Sequence, residues 1–229
     1  MFKARVRLFG ATLESVFPKP IPLGKLCIDE LAEGLLDGLA PIGLTPDQIL
    51  MLKLNDLFSY ELRFPLFRGN ANYSLNSQRL RLEFTNAVGP GDVTTIIDTV
   101  LKCLHPFDLP RGTSHIINVA RQAEFEPSSD FDNFFSSRTK WQSNAVKQAG
   151  AILYLRLPDW PEEVTVNLER SIVLPSGVFV NTRTILKAPA VENSNSNQSK
   201  GLTADTFRKV IEIFERAVSE CNLDLVWSS

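Results

Sequence analysis

The sequence predicts an α+β protein in which an antiparallel sheet carries helices on one face. Segments that alternate apolar with charged residues are typical of half-buried strands. Other segments repeat apolar residues every three or four positions, as amphipathic helices do. Both kinds follow the order β-α-α-β-β-β-α in residues 1–111 and again in residues 112–229, which predicts two similar halves that form one pseudo-duplicated unit. The alternative is that this order recurs by chance, because residue identity between the halves is low.

The composition of the 229 residues is that of an ordinary globular protein, with 44% hydrophobic and 22% charged residues. The formal net charge of -2 argues against a broad electrostatic surface for nucleic acid or anionic lipid. No apolar run is long enough to span a membrane, and residues 1–8 lack the apolar core of a signal peptide. Three cysteines, Cys27, Cys103 and Cys221, cannot all pair within one chain, so we expect reduced thiols and a cytoplasmic protein.

The elements of the first half follow from these periodicities. Residues 2–8 predict a strand with a basic outer face, and residues 28–39 predict an amphipathic helix with acidic residues in its first turn. Thr45 and Gln48 have the spacing of a capping box, with a proline between them, and predict a short second helix. Three strands and a helix after a glycine-rich break are then expected at 60–64, 70–75, 79–84 and 93–104.

The second half repeats the pattern. A strand at 115–125 places Ile117, Val119, Ala123 and Phe125 on one face. A short helix capped by Ser128 or Ser129 follows it, and residues 140–148 extend the helical region. The remaining expected elements are strands at 152–157, 164–174 and 178–186, a turn in which Gly177 takes a positive φ, a polar mobile loop at 192–201, a helix at 207–221 capped by Thr203, and a last strand or docked tail at 223–227.

Motifs for catalysis or for metal binding are weak. The two histidines, His105 and His115, have no cysteine or carboxylate at ligand spacing, and neither a nucleophile elbow nor a phosphate-binding loop is present. The carboxylate pairs of Glu124 with Glu126 and of Asp130 with Asp132 are explained by a solvent-facing strand and by a helix N-terminus. We therefore expect no catalytic residue, no metal and no cofactor. An enzyme whose residues converge only in three dimensions is the alternative.

Basic residues on the polar phase of the predicted strands are the candidate binding residues. If the strands form one antiparallel sheet, these side chains share its open face, which could bind RNA, an acidic peptide or an anionic metabolite. Interleaved Glu61 and Glu83 favour instead a solvated face of ion pairs across strands. The candidates are Arg5, Arg7, Arg63, Arg79, Arg81, Arg156 and Arg183, with Lys3 and Arg170 as further members of the set.

Nucleic acid is the least favoured partner. The aromatic residues fall on the apolar phase of the strands, whereas a stacking surface for single strands needs them beside the arginines. The order helix-strand-strand-strand-helix occurs in double-stranded-RNA-binding domains, but residues 91–95 lack the lysine cluster that such a domain needs at the start of its second helix. No family resemblance follows from this order.

Fifteen of the aromatic residues are Phe, which is typical of a buried core. We therefore expect a non-enzymatic binding or assembly module that acts through a sheet face, an edge strand or the cleft between halves. Its expected partner is another protein or a second copy of the chain, and a membrane is not expected. The alternative is a domain for a small anionic or apolar ligand, with a Phe-lined cavity around Phe131, Phe134, Phe135 and Trp141 and an arginine at its mouth.

Overall fold

The chain has an α+β fold, with four helices among the described residues and a mostly antiparallel sheet, as the sequence predicts. The structure is a computed structural model. It describes residues 1–21, 28–49, 52–55, 60–85, 90–104, 114–136, 150–157, 163–186 and 204–227. The predicted helix at 140–148, the loop at 192–201 and the cap Thr203 lie outside these residues.

Ten strands and four helices are described. The strands are β1 (Phe2–Val16), β2 (Leu52–Asn55), β3 (Tyr60–Leu66), β4 (Ala71–Asn76), β5 (Arg79–Phe84), β6 (Ser114–Phe125), β7 (Gly150–Arg156), β8 (Glu163–Arg170), β9 (Gly177–Leu186) and β10 (Leu223–Trp227). The helices are α1 (Ile28–Leu39), α2 (Pro90–Leu104), α3 (Ser129–Ser136) and α4 (Ala204–Glu220). None of the described helices combines the length and the apolar character needed to cross a bilayer.

The chain divides into two compact units that interleave along the sequence. The first unit comprises Met1–Gly10, Asn118–Ile185 and Lys209–Ser229, and the second comprises Ala11–Ile117 and Leu186–Arg208. Internal duplication is not shown by this arrangement. The predicted halves, residues 1–111 and 112–229, remain a prediction.

In the second unit, four strands follow one another as antiparallel neighbours in the order β2-β3-β4-β5, and the end of β1 pairs with β5. The turn between β4 and β5 is ordered by the Asn76 side chain, which accepts hydrogen bonds from the backbone N–H groups of Gln78 and Arg79. Such a side chain replaces backbone partners in a tight turn. Alternating residues of β3, β4 and β5 are buried, so one face of this sheet is core.

In the first unit, β6, β9, β8 and β7 are successive neighbours, and β10 pairs in parallel with the start of β1. The expected last strand is therefore a strand rather than a docked tail. The short helix α3 buries Phe134 and Phe135, and the Phe134 ring contacts Phe2 at 5.5 Å and Phe125 at 5.1 Å. These aromatic contacts anchor α3 to the sheet.

Two local predictions were wrong. Thr45 makes no side-chain cap to the backbone; its hydroxyl donates instead to the Asp47 carboxylate at 2.5 Å, and residues Pro46–Gln48 form only a 3₁₀ turn. This hydrogen bond lowers the pKa of Asp47. Gly177 has no positive φ; glycine is needed there because a Cβ atom would lie 2.4 Å from Cβ of Leu174.

The strand β1 is longer than predicted, and its buried side changes along its length. Ala4 and Val6 are buried at even positions, whereas Phe9, Ala11 and Leu13 are buried at odd positions. One extra residue in a strand produces such a change of phase. The strand β2 has no counterpart in the sequence-based prediction.

Candidate functional site

The predicted arginines of the second unit all take part in ion pairs with glutamates. Arg63 pairs with Glu61 at 3.1 Å and Arg81 pairs with Glu83 at 3.1 Å. Both pairs join residues two apart on one strand, so the expectation that Glu61 and Glu83 pair across strands was wrong. Residues two apart on a strand point to the same face, which allows this geometry. A cross-strand pair does form between Arg79 and Glu14 of β1, at 3.8 Å.

Two arginines of β1 in the first unit also meet carboxylates. Arg5 pairs with Glu126 at 3.0 Å. Arg7 donates two hydrogen bonds to one oxygen of Glu124, from Nε at 3.2 Å and from Nη2 at 3.0 Å. Ion pairs this exposed contribute at most about 1 kcal/mol each to stability. Their effect is to neutralise much of the positive charge of a candidate anion-binding face.

The remaining candidates, Arg156 and Arg183, lie on one face of the first unit. We call this the open face; it carries the even positions of β7 and the odd positions of β8 and β9. Both arginines are exposed; the strand register places Arg156 opposite Glu163 of β8 and Arg183 opposite Thr165 of β8. Arg170 was wrongly grouped with them, because it lies on the opposite face, over the rings of Phe131 at 4.6 Å and Phe135 at 5.3 Å. A binding role for the arginines stays a prediction.

The strand β7 exposes two large apolar side chains on the open face. Ile152 is 60% exposed and Tyr154 is 67% exposed, whereas their neighbours across the ladder on β8 are the polar residues Asn167 and Thr165. Among the described strands, β7 is the end of the strand order and pairs with β8 alone. We call the side of β7 that no other described strand pairs its free edge; a strand edge of this kind presents backbone N–H and C=O groups.

Nothing in the composition of β7 protects this edge. Native proteins usually block a free edge with lysine, proline, an inward charge or a bulge. The strand has the sequence Gly-Ala-Ile-Leu-Tyr-Leu-Arg, whose single charge is at its end, on Arg156. Leu153 and Leu155 on its other face are only half-buried. An unprotected apolar edge is the usual form of a surface that pairs with another strand.

A second exposed apolar group lies in the turn between β8 and β9. Ile172 is 89% exposed. The turn is ordered by Ser171, whose hydroxyl donates to Gln122 at 2.6 Å and accepts from the N–H groups of Val173 and Leu174. This turn has no free strand edge beside it, so it offers a small apolar contact and no ladder of hydrogen bonds.

Arg121 is the residue that sequence-based reasoning missed. It lies on β6 with its side chain fully buried, between the rings of Phe214 at 4.5 Å and Trp227 at 4.7 Å from the guanidinium carbon. Its Nη2 donates to Glu215 at 2.5 Å, while Nε and Nη1 are buried with no hydrogen-bond partner in the part of the chain that the structure describes. Stacking on aromatic faces stabilises a desolvated guanidinium. One signal was available in the sequence, because Arg121 stands on the buried phase between Val119 and Ala123.

A second buried polar pair joins Ser15 of β1 to His115 of β6. The Ser15 hydroxyl and Nδ1 of His115 share a hydrogen bond of 2.8 Å, with the donor set by the histidine tautomer. Burial lowers the pKa of His115 to about 4, so the imidazole is neutral at pH 7. A serine and a histidine in contact can act as nucleophile and base. Here both residues are buried. The bond is best explained as the way in which each of these two polar groups obtains a hydrogen-bond partner in the core.

Cysteine, histidine and carboxylate side chains remain as possible metal ligands. In the part of the chain that the structure describes, no group of three or more of them could hold a metal ion. Cys103 is a free thiol whose pKa is raised by burial, and Cys221 is buried. Cys27, His105 and Trp141 lie outside the described residues.

Comparison with known proteins identifies no family. No protein-family model matches the chain, and no curated protein matches it. The candidate site therefore rests on geometry alone.

Proposed function

We propose that this chain is a non-enzymatic assembly module that binds another polypeptide by strand addition to the free edge of β7. The observation that supports the proposal most is the pair Ile152 and Tyr154, two large apolar side chains exposed on a strand with one described neighbour. In strand addition, backbone hydrogen bonds supply affinity and alternate side chains supply specificity. Both requirements are met by the edge and the open face of β7.

The other interpretations have less support. A ligand site with a Phe-lined cavity needs rings that face a ligand, but Phe131, Phe134 and Phe135 contact one another at centroid distances of 5.2–5.3 Å. Arg170 does lie over two of these rings, but its guanidinium is already paired with Asp132 at 3.6 Å. Catalysis would need an accessible nucleophile, and the hydroxyl of Ser15 belongs to a buried residue.

The proposal is tested by site-specific photo-crosslinking in the cell of origin. A photoreactive phenylalanine analogue replaces Tyr154 on the edge, and in the control it replaces Arg183, which is exposed on the same face but lies on the interior strand β9. Strand addition predicts a discrete polypeptide adduct at position 154 and none at position 183. Equal adducts at both positions, or no adduct at position 154, would overturn the proposal.

A second measurement ties the adduct to the edge. The polypeptide identified by mass spectrometry is purified and mixed with the full chain, and amide hydrogen exchange is followed. We expect slower exchange in Gly150–Arg156, because the outward N–H groups of β7 become hydrogen-bonded. Unchanged exchange in this segment, with binding present, would contradict strand addition.

A further inference from the structure

The partner at this edge can be inferred from the pattern of β7 itself. Antiparallel pairing of β7 with β7 of another molecule pairs all seven residues when Leu153 lies on the two-fold axis. In this register Ile152 faces Tyr154 of the second copy, and Tyr154 faces Ile152. Directly opposed aromatic and β-branched side chains are a favourable cross-strand pair. The two large apolar side chains that the strand exposes thus cover each other.

The single charge of the strand is also accommodated in this register. Arg156 of each copy comes opposite Gly150 of the other, at the two ends of the paired strands, so the two arginines do not meet. Gly150 has no side chain to block the guanidinium, and the next residue in the same row is Glu169 on β8. The Glu169 side chain leans over the glycine, because a Cβ atom at position 150 would lie 2.8 Å from its Cγ.

The Arg156 side chain is long enough to reach Glu169 of the other copy. Neighbouring strands are about 4.8 Å apart, so Arg156 of one copy and Glu169 of the other are roughly 10 Å apart at their Cα atoms. The two long side chains, extended towards each other over Gly150, close that distance. Glu169 already accepts a hydrogen bond from Asn167 at 2.6 Å, which holds its carboxylate on the open face.

We propose that the partner is a second copy of this chain, paired through β7 in a two-fold antiparallel ladder centred on Leu153, with Arg156 of each copy bound to Glu169 of the other. This inference rests on the proposed function, since it names the partner of the same edge. The dimer continues the sheet, covers Ile152 and Tyr154, and removes the free edge of both copies. The half-buried Leu153 and Leu155 gain apolar neighbours on the other face.

Sedimentation of the purified full chain tests the apolar contact. The wild-type chain is expected to sediment at twice its monomer mass of 25.6 kDa. Ile152→Lys and Tyr154→Lys should each shift the equilibrium to monomer, since either places two lysines in the ladder of one dimer. Ile172→Lys is the matched control, because it alters an exposed isoleucine of the same unit away from β7 and should leave the dimer intact. Circular dichroism of each variant verifies that the fold is retained.

Charge reversal tests the register. Arg156→Glu and Glu169→Arg should each weaken dimerisation by about tenfold, because each change turns two attractive contacts into repulsive ones. The double variant restores opposite charges and should recover most of the affinity. A double variant no better than the single ones would overturn the register, and a dimer insensitive to Ile152→Lys and Tyr154→Lys would overturn the surface.

The two proposals fail in different ways. A wild-type chain that is monomeric at every concentration excludes the second copy. If position 154 still crosslinks to a different polypeptide, strand addition at β7 stands and only the partner is wrong. A monomeric chain with no crosslink at position 154 overturns both proposals.

Discussion

Arg121 donates a 2.5 Å hydrogen bond to Glu215, although the arginine side chain is 0% exposed and the glutamate side chain is 45% exposed. Because the Arg121 guanidinium is shielded from solvent, water cannot take the place of the Glu215 carboxylate beside it. The Glu215 carboxylate is partly exposed, so it can be hydrated if the guanidinium is removed. Removing one partner therefore has a different consequence from removing the other.

We expect Glu215→Ala to lower the free energy of unfolding by about 3 kcal/mol, because it leaves a buried charge without its counterion. Arg121→Met should cost less, since an apolar side chain fits between Phe214 and Trp227 and eliminates two buried nitrogens that no described residue hydrogen-bonds. Urea denaturation of both variants measures the difference. A larger loss for Arg121→Met than for Glu215→Ala would contradict the interpretation of Arg121 as a buried charge that needs its counterion.

The pair Ser15 and His115 predicts a pH-dependent stability. The folded pKa of His115 is lowered to about 4 from an unfolded value of 6.5, so between these values the unfolded chain binds a proton that the folded chain does not. The free energy of unfolding is therefore unaffected by the titration of His115 above pH 6.5. As the pH falls from 6.5 to about 4, protonation of the unfolded chain lowers the free energy of unfolding by on the order of 3 kcal/mol. Denaturation curves across this range, recorded in a His105→Gln background, assign the slope to His115.

The control for this prediction removes the titrating group itself. His115→Phe in the same background should flatten the stability curve between pH 4 and 6.5, since no histidine then remains. Carboxylates contribute equally to both curves and cancel in the difference. If the two curves run parallel, the burial of His115 does not govern acid sensitivity.

The packing of α1 against α2 predicts that substitution by alanine affects stability differently at two helical glycines. A Cβ atom at Gly38 would lie 2.3 Å from Cγ2 of Thr99, whereas nothing lies within 4 Å of the equivalent position at Gly91. Gly38→Ala should therefore destabilise the protein by about 1 kcal/mol despite the better helix propensity of alanine, and Gly91→Ala should be neutral or slightly stabilising. Thermal denaturation measures both.

Removing the clashing methyl group should rescue the first variant. Thr99→Ser deletes Cγ2 while keeping the hydroxyl, so the double variant Gly38→Ala with Thr99→Ser should be more stable than Gly38→Ala alone. Additive losses in the double variant would show that the two positions are not coupled.

The described thiols should react slowly in the folded protein. Burial raises the pKa of Cys103, and Cys221 is buried with its Sγ donating to the carbonyl of Ala217 at 3.2 Å. The thiolate is the reactive form, so alkylation at pH 7 should label Cys103 before Cys221 and label both far faster in urea. Peptide mass spectrometry resolves the two sites, and rapid native labelling of Cys221 would contradict its burial.

Local periodicity was sufficient to predict most elements. The alternation at residues 115–125 and the apolar spacing at residues 28–39 depend only on neighbours along the chain, and both elements are present. Predictions that needed one specific local bond were weaker. Thr45 and Gln48 have the spacing of a capping box, but the Thr45 hydroxyl bonds Asp47 instead. Residue spacing does not decide whether the hydroxyl accepts from a backbone N–H group or donates to a nearby carboxylate.

The ion-pair partners of the arginines and the position of β7 at the edge of its sheet could be known only from the tertiary structure. The sequence by itself determined the fold class, the buried positions of most strands and the abundance of arginine on polar positions. Only the fold decided that Glu124 and Glu126 neutralise Arg7 and Arg5, and that β7 is the last described strand of its sheet. The physical reason is that side-chain direction repeats within a few residues, whereas strand order and ion-pair partners depend on contacts between residues more than a hundred positions apart, such as Arg7 and Glu124.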